Sequence, residues 1–252
     1  MRLFSLGKMI KGNILNNERK VLVVKNPELL DINPKTWLRP YQKTTVWYML
    51  KMGLFYHFLG LILMYLGSNL ATSVISGYAT PQIPVSVSLA LSAGFFEEAV
   101  FFGIPTFLSG HPVVVLASGI VWSSAHLFNT GIISIETLAY GGFLFSIPHI
   151  FFSLRTWSSG KGWFAIAFHS GWNFSFLMLY CGIGLRECSI INDDPFDILN
   201  IIMAIATIFM VYLAYINQVK KKHVNRFLYL IPVAVLLVGL FFLFGNEITI
   251  LN

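Results

Sequence analysis

Seven apolar stretches follow one another through this chain, at 45–70, 83–108, 112–128, 132–154, 162–183, 196–217 and 227–245. Each is close to the ~20 residues a helix needs to cross a bilayer. A helix satisfies all of its backbone hydrogen bonds internally, so runs of this kind specify spanning helices. The runs are continuous and not alternating, which argues against a β-barrel. The expected fold class is all-α, a polytopic transmembrane helical bundle of about seven spans. Composition agrees, with 56% of the 252 residues hydrophobic and 11% charged. A soluble domain, a disordered chain and a disulfide-stapled secreted domain are excluded on that ground. The two cysteines, Cys181 and Cys188, have no neighbours at metal-ligand spacing.

The basic residues give an orientation. Residues 1–44 hold nine Lys or Arg, the loop after the fourth run holds Arg155 and Lys161, and the loop after the sixth holds Lys220, Lys221, Lys222 and Arg226. These fifteen of seventeen cations fall on one side of a seven-span arrangement. The positive-inside rule then places the N-terminus in the cytoplasm. Lys51 lies a turn or two inside the first span and can snorkel. The expected organisation is a basic cytoplasmic arm over 1–44, a helical membrane domain over 45–245 and a short extracytoplasmic tail over 246–252. The basic loops suit anionic lipid headgroups, and nothing calls for a nucleic-acid partner.

Some residues are costly in such spans. A charge at mid-bilayer costs about 2.5–3.5 kcal/mol on insertion scales, so ionisable groups there generally face a bundle interior and carry function. The second span contains Glu97 and Glu98, the third Trp122 and His126, and the fifth His169 and Asn173. The last two pairs are each four residues apart and so share a helix face. Adjacent Glu97 and Glu98 point ~100° apart, so one faces a cavity while the other braces a neighbouring helix. Two carboxylates this close in a low dielectric do not both ionise readily. Ser123, Ser124, Ala125, Ser170 and Gly171 allow close helix approach around these groups. A wet pocket between the second, third and fifth spans, with a carboxylate able to act as general base on water, is the expected site.

The order Glu-Glu, aromatic-x-x-x-His, then His-x-x-x-Asn, each in its own span, resembles the CPBP family of intramembrane proteases, the CAAX-processing and bacteriocin-processing (Abi) enzymes. The resemblance covers 85–176. It implies that Glu97 activates the attacking water with help from His126, that His169 and Asn173 hold the oxyanion, and that Glu98 is a supporting carboxylate. One departure stands out: the family motif reads Glu-Glu-x-x-x-Arg, and this chain has Phe102 at the Arg position. Trp122 stands where Phe is usual.

A metal is left open at this stage. Glu97, His126 and His169 suit a zinc site with an open water position. Asn173 is a poor zinc ligand, no His-Glu-x-x-His is present, and no cofactor is required by the residues alone. Asn129, three residues after His126, is a candidate to orient it. His149 is read as bonding across a Pro148 kink, His57 as structural, Glu136 as interfacial, and His111 and His223 as loop residues. The expected function is an endopeptidase of the bacterial cytoplasmic membrane acting on a peptide or membrane-associated substrate. The alternative is a non-proteolytic membrane partner that confers bacteriocin immunity or regulates a sensor kinase or cell-wall enzyme. Nothing in the residues alone singles out prenylated substrates.

Overall fold

The computed structural model describes residues 45–74, 83–128, 142–180, 188–191, 198–218, 220, 222–225 and 227–248. Among these the chain forms seven helical rods. They are α1 (Val46–Val74), α2 (Val87–Glu98, continued by a π-helical turn Ala99–Gly103 and by Ile104–Leu108), α3 (Pro112–Ala125, ending in a 3-10 turn His126–Phe128), α4 (Phe143–Ser158), α5 (Trp163–Tyr180), α6 (Ile198–Gln218) and α7 (Phe227–Ile248). The all-α bundle read from the sequence is the fold. Val46–Ala71, Ala90–Leu108 and Ile198–Asn217 are long and apolar enough to cross a membrane, and Pro112–Phe128 and Phe227–Gly239 are shorter apolar helices.

The molecule is polar inside and apolar outside. Glu98, Ser153, Arg155, Thr156 and Thr207 are fully buried, whereas Phe58, Ile62, Leu66, Ile205, Ile208 and Ile231 are each more than half exposed. In water this distribution is unfavourable, because each exposed apolar side chain forgoes about 1.5–3 kcal/mol of burial. In lipid the outward faces need no cover, and inward polar groups such as Glu98, Ser153 and Trp157 hydrogen-bond one another. The chain is therefore an integral membrane protein.

α4 is the central element. Ten of its sixteen residues are buried, with α1 on one side and α3 on another, while α2 packs along α5 and α6 packs on α2 and α7. Gly142 starts α4 with φ +89°, a backbone state that side chains with a Cβ avoid. The helix ends four residues beyond the limit expected for the fourth span; the first part of that span, 132–141, lies outside the described residues. This extension corrects the reading of Arg155 as a loop cation. Arg155 sits in the last turn of α4 with no exposed surface. Its guanidinium donates to the Tyr48 hydroxyl at 3.2 Å, approaches Met52 Sδ at 3.6 Å and lies over the Tyr56 ring at 5.8 Å.

Two local breaks shape the site. Pro105 has no N–H to return to the carbonyl four residues back, and the turn before it widens so that Ile104 N–H bonds Ala99 O, five residues back. The first four residues of the expected second span, Ile83–Ser86, form a strand and not helix, paired in parallel with Cys188–Ile191 in the register Ile83↔Cys188. Pro84 removes a helical donor there, and β-branched Ile83 and Val85 favour extended backbone.

Close contact of α2 and α5 depends on Gly94. A Cβ at this position would lie 2.2 Å from Ser170 Oγ and 2.5 Å from Ser170 N. Ser170 Oγ also donates to Leu91 O at 2.9 Å. Gly94→Ala must push the helices apart, and overpacking of this kind costs about 1–3 kcal/mol. A lowered thermal unfolding midpoint in detergent, followed by helical circular dichroism, is the expected result.

Candidate active site

Glu98, the residue of α2 just before its π-helical turn, is the hub of the buried polar core. Its side chain has 0% exposure. Its Oε1 accepts from His149 Nε2, from Ser153 Oγ at 2.8 Å and from His169 Nδ1 at 3.3 Å, while its Oε2 accepts from Trp157 Nε1 at 2.8 Å. His149, Ser153 and Trp157 are spaced four apart along α4, so three consecutive turns of one face aim donors at a single carboxylate. A buried carboxylate is tolerable only when charge and hydrogen bonds compensate it, and four donors from two helices do so here.

Glu97 points elsewhere, as expected for adjacent helical residues. Its side chain is 26% exposed. Its Oε2 accepts from Trp122 Nε1 of α3 and lies 3.6 Å from His169 Nε2. His169 thus sits between the two carboxylates, with Nδ1 toward Glu98 and Nε2 toward Glu97. Trp122 binds the arrangement together. Its ring centre lies 4.8 Å from that of His126, 5.4 Å from His169, 5.5 Å from His149 and 5.5 Å from Phe102.

His126 caps the end of α3. Its Nδ1 bonds Trp122 O at 2.9 Å, a carbonyl left free at the helix end, and the ring lies beside Gly142 at the start of α4. Asn173 follows His169 by one turn of α5 and is half-buried. Asn129 and Glu136 lie outside the described residues. Phe102, at the Arg position of the family motif, is fully buried against Trp122, against Ile150 and at Gly119.

Among the described residues, the group that could hold a metal ion is not the one expected. Ligand atoms of Glu98, His149 and His169 lie within 4.8 Å of one another, in place of Glu97, His126 and His169. The reasons are the ~100° offset between the two glutamates, which turns Glu98 and not Glu97 into α4, and the attachment of His126 to its own helix. His149 is likewise more than a residue at a proline kink. Its missed signal was the stripe His149, Ser153, Trp157, spaced four apart on one face of α4.

An apolar-skinned helical bundle thus encloses a carboxylate–imidazole network that is partly exposed at Glu97. Comparison with known families finds one match within the chain. The family described as Type II CAAX prenyl endopeptidase Rce1-like matches residues 79–175, the stretch that holds every group named above. This is the CPBP and CAAX protease family that the motif order resembles, and it is a family of proteases. No curated protein and no solved structure matches the chain.

Proposed function

We propose that this chain is an intramembrane endopeptidase in which Glu97 activates a water molecule. The observation that carries the proposal is the contrast between the two glutamates. Glu98 has four donors and no exposed surface, so it has neither room nor lone pairs for a substrate water. Glu97 is partly exposed, is held by Trp122 and keeps acceptor capacity.

In the proposed reaction Glu97 takes a proton from water as the oxygen bonds the scissile carbonyl carbon. Asn173 supplies an amide N–H for the oxyanion, and His169, protonated on both ring nitrogens with Nδ1 held by Glu98, supplies the Nε2–H; a single such donor contributes about 3 kcal/mol. Glu97 then passes the proton to the departing amine as the C–N bond breaks. His126 assists Glu97 through Trp122, against which it packs. Glu98 holds His169 in place. The Arg usual at position 102 is dispensable here, because His149, His169, Ser153 and Trp157 compensate Glu98.

Glu98, His149 and His169 match zinc in donor type and number. A zinc ion held there would polarise a carbonyl or a water. As placed, however, the His149 and His169 nitrogens facing Glu98 bond it directly, and Ser153 and Trp157 take further lone pairs, so the hydrogen-bonded network accounts for the cluster. The reaction proposed through Glu97 takes no step through a metal.

The substrate proposed is a membrane-associated peptide. The test is incubation of the purified protein in micelles with paired peptides of one sequence, with and without an isoprenyl group on a cysteine near the C-terminus. Cleavage of the lipidated member at a defined bond is the expected result, with a rate that stays within about twofold after dialysis against a chelator. Loss of activity that zinc restores would replace the metal-free reaction with a metal-assisted one. Absence of cleavage of any peptide would favour the non-proteolytic alternative.

A further inference from the structure

Two helices that meet closely at one level leave a trough beside the contact. Gly53 of α1 lies so near α5 that a Cβ there would be 2.6 Å from Phe168 Cζ. Beside this contact an open groove of about 380 Å³ is lined by Leu54, Phe58 and Leu61 of α1 and by Phe168, Gly171 and Trp172 of α5, among others. Leu54 and Phe58 are 47% and 62% exposed, so the groove lies on the lipid side of the bundle. Gly171 keeps it wide, because a Cβ at this position would meet no heavy atom within 4 Å. Trp172 stacks on Phe145, with ring centres 4.0 Å apart and planes 7° apart, which fixes one wall.

The groove leads to a cation. Lys51 precedes Leu54 by three residues and Phe58 by seven, so it shares their face of α1, about 4.5 Å further along the axis. Lys51 is exposed, and its ammonium lies 5.2 Å from the centre of the Trp47 ring. Trp47 is itself 63% exposed, and exposed tryptophans of spanning helices gather at the headgroup level. An apolar trough that ends at an interfacial cation is complementary to a phospholipid with a net negative headgroup. Size argues the same way. A helix about 10 Å across fills roughly 400 Å³ per turn, so the groove holds less than one turn of a rod, whereas an acyl chain can lie along it.

We propose that α1 and α5 form a binding site for one anionic phospholipid, with an acyl chain in the groove from Leu54 to Leu61 and the headgroup phosphate on Lys51. The bound lipid fills the gap between α1 and α5, the helix that carries His169 and Asn173. The site is independent of the proposed peptidase reaction, since its occupancy is read without hydrolysis.

The test uses Trp172 as the reporter. Phosphatidylglycerol or phosphatidylcholine with dibrominated acyl chains, which quench tryptophan on contact, is titrated into the protein in micelles. Each protein is measured with and without Trp172→Phe, and the difference is the signal of Trp172. The expected result is half-saturation of Trp172 quenching at an about fivefold lower fraction of phosphatidylglycerol than of phosphatidylcholine, the share of one lysine near the surface. Lys51→Gln removes that preference and leaves phosphatidylcholine unchanged. Gly171→Leu, which puts a side chain into the groove, weakens both lipids by at least about tenfold, as expected when two or more methylenes are kept out. If the leucine variant does not fold, Gly171→Ala is read in its place, with an about fourfold loss for one methyl group. A wild type that takes both lipids equally, a preference that survives Lys51→Gln, or quenching unchanged by a side chain at 171 overturns the proposal. Displacement of the brominated lipid by an isoprenylated peptide in preference to unlabelled phosphatidylglycerol would assign the groove to a substrate, and quenching that falls as protein concentration rises would assign it to a second copy of this chain; either result overturns the proposal.

Discussion

Glu97→Gln lowers peptide hydrolysis by about 10²–10⁴-fold, the usual contribution of a general base, and leaves the fold intact. The amide oxygen of glutamine still accepts from Trp122 Nε1, the one hydrogen bond that fixes Glu97 to α3. The side chain keeps its volume at a partly exposed position. What it loses is the ability to take a proton from water. The fall therefore appears in kcat, with KM little changed, because a loss confined to the transition state leaves ground-state binding alone. The measurement is steady-state hydrolysis beside a thermal unfolding curve, and an unfolding midpoint that does not move separates this variant from one that is damaged overall.

Glu98→Leu acts in the opposite way. It removes the acceptor for His149 Nε2, Ser153 Oγ, His169 Nδ1 and Trp157 Nε1 and leaves these donors facing an aliphatic side chain. Breaking a buried pair from one side costs about 3–5 kcal/mol, a large part of the 5–15 kcal/mol that typically holds a protein together. Unfolding in increasing proportions of denaturing detergent reports this loss directly. Glu98→Gln keeps an acceptor and suffers less. Adjacent residues are thus expected to fail differently, Glu97 through rate and Glu98 through stability.

Much of this was legible because lipid penalises polarity so heavily. Glu97, Glu98, His126 and His169 stood out as ionisable groups in apolar runs, and the helical angle between adjacent residues already divided the two glutamates into different roles. His149 was in view, but Pro148 beside it offered a local explanation. Only the tertiary packing of α4 against α2 shows that His149, Ser153 and Trp157 converge on one carboxylate. Arg155 was misplaced because counting cations by loop presumes that a helix stops where apolar residues stop, whereas α4 continues and buries its cation against Tyr48, Met52 and Tyr56. Ile83–Ser86 was taken into a helix because hydropathy does not distinguish a short apolar strand from the first turn of a span. His57 reads as structural in the sequence, since a single histidine in a span shows nothing of its neighbours.

In the proposed reaction a carboxylate held inside the bundle delivers water to a peptide bond. Hydrolysis in oxygen-18 water tests it most directly, with mass spectrometry of the newly formed carboxyl terminus. The expected result is one heavy oxygen in the product of the wild-type protein and at least about a hundredfold less product from Glu97→Gln. Equal labelled product from both proteins would contradict it, because the proton would then be taken by some group other than Glu97.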